Sequence, residues 1–87
     1  MKAIWKWPLD GSKCALMMPK GALVLDVQNQ KGQTQMWALV DPNAERVPFE
    51  VRLYMTGERL PNDPGKHLGT VQLDQGEYII HVFEVPK

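Results

Sequence analysis

The sequence predicts an all-β fold: one domain over residues 1–87, built as a small barrel or a two-layer sandwich of six or seven short antiparallel strands. Seven glycines and seven prolines are spread along the chain and divide it into short segments. Several of these segments alternate apolar and polar residues with a period of two, and none has a helical period over a helical length. With 87 residues, the chain can supply one hydrophobic core and no second one.

The first predicted strand covers residues 3–7 and ends at a proline. Alternation places Trp5 and Trp7 on one face of this strand and Lys6 between them on the other. The simplest interpretation is that both indole rings face the core. Residues 14–18 form a second, weaker candidate strand.

The next two segments, residues 23–28 and 34–41, are predicted to form a β-hairpin. A three-residue loop at residues 30–32 would end in a glycine, which suits the left-handed position of such a loop. A two-residue loop would instead place Asp26 opposite Trp37, so hydrophobic pairing favours the longer loop. The predicted register then has these pairs: Leu25 with Trp37, and Leu23 with Leu39.

The clearest strand is predicted at residues 49–56, where apolar and polar side chains alternate without interruption. The apolar residues are expected to face inward. The outward set is Glu50, Arg52, Tyr54 and Thr56. Residues 57–66 contain an Asp-Pro-Gly sequence, which is typical of a turn, and form the longest predicted loop.

A second hairpin is predicted from residues 68–73 and 77–85, with a three-residue loop at 74–76 that again ends in glycine. In this register Leu73 pairs with Glu77, Gly69 faces His81, and Phe83 faces His67. The two histidines then become diagonal neighbours on one face, with Cα atoms roughly 7–8 Å apart.

Charge and cysteine content narrow the classes of function and the location. Ten basic and ten acidic residues are interspersed and give a formal net charge of zero, which disfavours nucleic-acid binding. Zero net charge and small size both favour association, so a homo-oligomer is expected. The single Cys14, with neither a signal peptide nor a membrane-spanning apolar run, indicates a cytoplasmic protein.

The sequence offers weak candidates for catalysis and metal binding. Ser12 lies in a turn-like segment without a G-x-S-x-G motif, and Cys14 has no context that would lower its pKa. Zinc would need a third ligand beside His67 and His81, and none is expected on their face. We therefore expect no enzyme, no metal and no cofactor, and interpret His81 as a partly buried residue hydrogen-bonded to the backbone.

A binding site is the more interesting expectation, because three of the seven aromatic residues are tryptophans. An indole could form the wall of a pocket and stack on a flat ligand, while a nearby cation binds its anionic part. The alternative is that the tryptophans belong to the core and the polar strand face is merely solvated. The candidate ligand-binding residues are Trp5, Lys6, Trp37, Arg52, Tyr54, Thr56 and His81.

Several short motifs run through the chain: IWKWPL at residues 4–9, MPKGA at 18–22, WALVDP at 37–42, TG at 56–57, LGT at 68–70 and HVFEV at 81–85. In their order and over nearly the whole chain they resemble a family of short proteins found largely in bacteriophages and in bacterial genomes carrying them. The resemblance implies a phage accessory protein that acts in the cytoplasm of the infected cell. Related sequences tend to carry a histidine where this chain has Glu58, so the resemblance implies no catalytic or metal role there.

Three classes of function follow from these expectations. The first is a non-enzymatic binding protein that counters host defence, either by blocking a defence protein or by sequestering a small nucleotide signal. The second is a small structural or assembly component of the virion. The third is a barrel that binds single-stranded nucleic acid, which the neutral charge disfavours. The first is preferred, because the strands begin and end too near the termini to leave an arm for lattice contacts.

Overall fold

The computed structural model describes residues 1–86 and confirms the all-β class. Sheet A has the strand order β1-β4-β3, and sheet B has the order β2-β5-β7-β6; all neighbouring strands are antiparallel. The strands are β1 (Ala3–Pro8), β2 (Lys13–Pro19), β3 (Leu23–Gln30), β4 (Gln33–Val40), β5 (Arg46–Met55), β6 (Lys66–Leu73) and β7 (Tyr78–Glu84).

The two sheets pack on one shared core and do not close into a barrel, so the sandwich is the alternative that fits. They approach each other most closely at β3 and β6, where Gly69 lies against Val27. A Cβ atom at position 69 would lie 3.2 Å from the Cβ of Val27. The buried core comprises Leu9, Cys14, Met18, Val27, Met36, Ala38, Val40, Phe49, Val51, Val71 and Val82.

The tryptophans of β1 lie on the inner face, as predicted. Trp5 and Trp7 are partly buried against the core, and their ring centroids are 6.1 Å apart. The guanidinium carbon of Arg46 lies 4.9 Å from the ring centroid of Trp5, which is a cation–π distance. β1 therefore attaches to the core through its aromatic face and leaves its other face outward.

The loop of the first hairpin was predicted one residue too long. β3 and β4 are joined by Lys31 and Gly32 alone, which both have positive φ, at 53° and 83°. Such a pair is typical of the type I′ turn, whose twist matches that of the strands. Asp26 therefore lies opposite Trp37, and the predicted pairing of Leu25 with Trp37 is wrong.

A β-bulge at Leu25 restores the predicted register farther from the turn, so Leu23 does pair with Leu39. Asp26 stabilises the bulge, because its Oδ1 accepts a hydrogen bond of 2.8 Å from the backbone N–H of Val27. The bulge turns Val24 and Val27 toward the core and leaves Leu23 and Leu25 exposed.

The loop of the second hairpin also differs from prediction by one residue, in the opposite direction. A single 3₁₀ turn at Asp74–Gly76 makes the loop one residue longer than predicted, and Leu73 pairs with Tyr78 instead of Glu77. A bulge at Leu68 then restores the predicted pairing of His67 with Phe83. Between the turn and this bulge, the observed register is shifted by one residue from the predicted register. The residue opposite His81 is therefore Thr70 and not Gly69.

The alternation of β5 is confirmed for most of the strand. Phe49, Val51 and Leu53 face the core as predicted. Met55, predicted to face inward, is 43 % exposed because it lies at the strand end, beyond the core. Tyr54 points to the outer face as predicted, yet it is only 4 % exposed, because neighbouring side chains on that face cover it.

Cys14 is a buried thiol, and its reactivity can be predicted. Its side chain is 8 % exposed, and the Sγ atom donates a hydrogen bond of 3.2 Å to the carbonyl oxygen of Asp10. Burial raises the pKa of the Cys14 thiol. We expect alkylation at pH 8 to be many-fold slower in the folded protein than in urea, as measured by mass spectrometry.

The same raised pKa makes stability depend on pH. The folded state holds the thiol proton to higher pH than the unfolded state does. The free energy of unfolding should therefore fall as the pH rises above the pKa of an unfolded thiol, and the Cys14→Ala variant should lack this part of the decline. Equal alkylation rates in the folded and unfolded states would contradict the prediction that burial slows alkylation of Cys14.

Candidate functional site

A row of hydrogen-bonded polar side chains lies on the outer face of sheet B. The Oγ1 of Thr56 lies 2.7 Å from Nε2 of His81, and Nδ1 of His81 lies 3.2 Å from Oγ1 of Thr70. The same Thr70 oxygen lies 3.0 Å from Nε2 of His67. These four residues, the His–Thr row, thus connect the end of β5 to β7 and β6.

The bulge in β6 is what builds the row. His67 and Thr70 are three residues apart and would lie on opposite faces of a regular strand. The extra residue, Leu68, places both on the outer face, where Thr70 lies between the two histidines. The prediction that both histidines share a face is confirmed, but His81 bonds to threonine hydroxyls and not to the backbone.

Aromatic rings flank the His–Thr row. The ring of Phe83 lies edge-on to Tyr54, with centroids 5.9 Å apart, and edge-on to His67, at 5.2 Å. The guanidinium carbon of Arg52 lies 5.5 Å from the centroid of Tyr54. Tyr54 thus forms the buried base of an aromatic cluster, with a cation above it.

Two cations lie directly opposite each other beside this cluster. Lys13 of β2 pairs with Arg52 of β5, and like charges in directly opposed positions destabilise a sheet. Within residues 1–86 the one ion pair is Lys20–Glu45, so neither cation is neutralised by an ion pair within that part of the chain. The Nε atom of Arg52 is buried and has no hydrogen-bond partner among the described residues.

An open groove of about 290 Å³ lies at this pair of cations. One acidic side chain, that of Glu50, lines it together with the two cations, so the groove carries a net positive charge. An anion bound in this groove would lie between the two cations, offset their repulsion and provide a hydrogen-bond acceptor for Arg52. The lining residues are Lys13, Cys14, Ala15, Glu50, Val51, Arg52 and Val85.

The candidate residues from the sequence do not form a single site. Arg52, Tyr54, Thr56 and His81 lie together on the outer face of sheet B. Lys6 and Trp37 are paired on the outer face of sheet A, and Trp5 packs inward against the core. The candidate residues are divided between two sheets because β1 and β4 belong to one sheet and β5 and β7 belong to the other.

Sequence reasoning missed Lys13, Thr70 and Phe83 as parts of this site. Phe83 could have been found, since the predicted register already placed it opposite His67. Lys13 required the pairing of β2 with β5, for which the sequence carries no local signal. Thr70 required the position of the bulge.

In the part of the chain that the structure describes, no three His, Cys, Asp or Glu side chains are grouped closely enough to hold a metal ion. Nor does that part contain a helix long and apolar enough to cross a membrane.

Comparison with known proteins places the chain in a family. No curated protein and no solved structure matches it. A family model matches residues 1–87, which is the full length of the sequence. The chain therefore belongs to the family described as Domain of unknown function (DUF7352).

Proposed function

We propose that this protein is a non-enzymatic phage accessory protein that binds a small anionic ligand carrying a flat ring, of the nucleotide class, on the outer face of sheet B. The observation that carries the proposal is the opposed pair Lys13 and Arg52, with an unpartnered buried Nε atom at the groove. In the cytoplasm of an infected cell, such binding would remove a nucleotide signal that host defence requires.

The chemistry of the face suits such a ligand. A guanidinium group binds phosphate oxygens through directed N–H donors, and a neighbouring ammonium group adds a second positive charge. The imidazole and hydroxyl groups of the His–Thr row can donate or accept hydrogen bonds at the polar edge of a base. Phe83 and His67 supply partly exposed rings next to that row.

One property of the site favours binding over catalysis. The imidazole nitrogens of His81 are both engaged by threonine hydroxyls, at 2.7 and 3.2 Å. Where a histidine activates a hydroxyl for nucleophilic catalysis, a carboxylate at its second ring nitrogen commonly orients the imidazole and stabilises its charged form. Within the row as the structure describes it, a threonine hydroxyl occupies that place and no carboxylate hydrogen-bonds to His81.

The proposal predicts that removing either cation weakens ligand binding. Arg52→Gln should reduce affinity about 10- to 100-fold, because a hydrogen bond to a charged group contributes roughly 1.5–3 kcal/mol. NMR titration with inorganic phosphate, nucleoside phosphates and cyclic dinucleotides measures both the affinity and the place of binding. The expected shifts lie at Arg52, His81 and Phe83, and the best ligand should bind more weakly as salt is added.

Lys13→Gln provides an independent check on folding. It should lower affinity, and it should leave the ligand-free protein as stable as before or a few tenths of a kcal/mol more stable, because a like-charge pair is removed. Lys2→Gln removes one charge from the exposed N-terminus and serves as the matched control. The proposal is wrong if millimolar ligands shift no resonance on this face, or if Arg52→Gln and Lys13→Gln both bind as tightly as the Lys2→Gln control.

A further inference from the structure

The outer face of sheet A carries apolar side chains that the rest of residues 1–86 leaves largely uncovered. Ile4, Leu23 and Leu25 are 61 %, 53 % and 47 % exposed, respectively. Ile4 of β1 and Leu23 of β3 both pair with Leu39 of β4. Ile4, Leu39 and Leu23 therefore form one apolar row across the sheet. Neighbouring exposed apolar side chains on one face are the kind of surface that association covers.

A second row beside it carries opposite charges at its two ends. Trp37 of β4 pairs with Lys6 on one side and with Asp26 on the other. The Nζ of Lys6 donates a hydrogen bond of 2.9 Å to the side-chain oxygen of Gln30. Asp26 accepts hydrogen bonds from the backbone of Val27 and from the side chain of Gln28. Neither charge forms an ion pair within the described residues.

From these two rows we infer that the occupant of this face is a second copy of the chain, packed face to face about a two-fold axis parallel to β4. That axis places β1 of one copy over β3 of the other. Lys6 then meets the partner's Asp26, and Ile4 meets the partner's Leu23. Trp37 and Leu39, which lie on the central strand, each meet their own equivalents. Both rows are therefore self-complementary.

Other arrangements do not match the rows. A two-fold axis across the strands would place charged residues over apolar ones, with Lys6 above Ile4. The bulge at Leu25 also leaves an open groove of about 330 Å³ on this face, which a side chain of the second copy can fill. Its lining residues are Ile4, Leu25, Asp26, Gln28 and Trp37.

The expected dimer is weak. Three strands about 4.8 Å apart and about eight residues long present roughly 400 Å² of projected area. Stable interfaces bury about 800 Å² of accessible surface on each partner, so we expect a dissociation constant between about 1 µM and about 1 mM. The dimer leaves the outer faces of both copies of sheet B open, and it does not depend on the ligand proposed above.

Sedimentation velocity from about 1 µM to 1 mM tests the inference with a pair of charge variants. Lys6→Glu places Glu against the partner's Asp26, and Asp26→Lys places two lysines together, so each variant alone should dimerise at least tenfold more weakly. Mixing the two variants creates two attractive contacts and should restore dimerisation to about the wild-type level. Arg59→Glu changes the same charge in the β5–β6 loop and should dimerise like the wild type.

A second pair keeps the test decisive if Asp26→Lys disturbs the bulge that Asp26 stabilises. Ile4→Lys and Leu23→Glu change side chains that are more than half exposed, so both variants should fold. Each should dimerise more weakly alone, and mixing them should restore part of the association. A wild type that stays monomeric at 1 mM, a dimer that Lys6→Glu does not weaken, or mixtures without restored association would each overturn the inference.

Discussion

Gly65→Ala is expected to lower the free energy of unfolding by about 3 kcal/mol. Gly65 has a φ of +100°, where a residue with a Cβ atom costs about 1–2 kcal/mol. A Cβ atom at this position would also overlap the backbone carbonyl oxygen of Glu84 and lie 3.0 Å from Cδ of Pro86. A backbone atom cannot rotate away as a side chain can, so the loop or the end of β7 must move.

A loss of this size is large for this domain. Proteins of similar length have a total stability of roughly 5–13 kcal/mol, and each kcal/mol shifts the melting temperature by about 4–8 °C. We therefore expect thermal unfolding, followed by circular dichroism, to occur roughly 12–24 °C lower in Gly65→Ala than in the wild type.

Gly57→Ala is the matched control, because it separates the cost of a positive φ from the cost of the steric overlap. Gly57 lies at the other end of the same loop with a φ of +90°, and a Cβ atom there would have nothing within 4 Å. It should cost only the conformational term, about 1–2 kcal/mol. If both substitutions lower the melting temperature equally, the close approach of residue 65 to the end of β7 does not add to the cost of a Cβ atom at that position.

The strands could be predicted from the sequence because their signals are local. Alternation identified the inward side chains of β5, and the Trp5 and Trp7 pattern identified the inner face of β1. The assignment of strands to sheets could not be predicted, because it depends on pairings such as β2 with β5 that join distant segments. Sequence reasoning therefore combined candidate site residues that lie on two different sheets.

Both hairpin registers were wrong near the turn and right farther from it, for one physical reason. The turn is set by local backbone preferences, such as the left-handed pair Lys31 and Gly32. The far end is set by apolar pairing, which keeps Leu23 opposite Leu39. A bulge of one residue reconciles the two, and alternation alone contains no signal for its position.

The bulges also determine which side chains each sheet presents on its outer face. The bulge at Leu25 leaves two leucines exposed on sheet A. The bulge at Leu68 brings His67 and Thr70 to the outer face of sheet B. Without them, the first face would present fewer apolar side chains and the second would lack its hydrogen-bonded row. The apolar and polar faces that we assign to self-association and ligand binding thus both depend on irregularities in otherwise regular hairpins.

Met36→Ala is the second substitution for which we expect a loss of about 3 kcal/mol in the free energy of unfolding. Met36 lies at the centre of β4, between Trp7 on one side and Val27 on the other, and its side chain is 0 % exposed. Truncation removes buried atoms and leaves a cavity, which costs roughly 2–5 kcal/mol for a buried methionine. Both sheets contribute to this core, so little collapse is available to refill the space.

Met17→Ala makes the same chemical change at a side chain of β2 that is 56 % exposed, and it should cost no more than about 0.5 kcal/mol. Urea unfolding of both variants, with equal slopes against denaturant, measures the difference directly. Similar midpoints for the two variants would mean that Met36 is not at the centre of the shared core, since position in the fold is the one property that separates these methionines. A large gap would confirm that Met36 belongs to the core that both sheets share, independently of any ligand or partner.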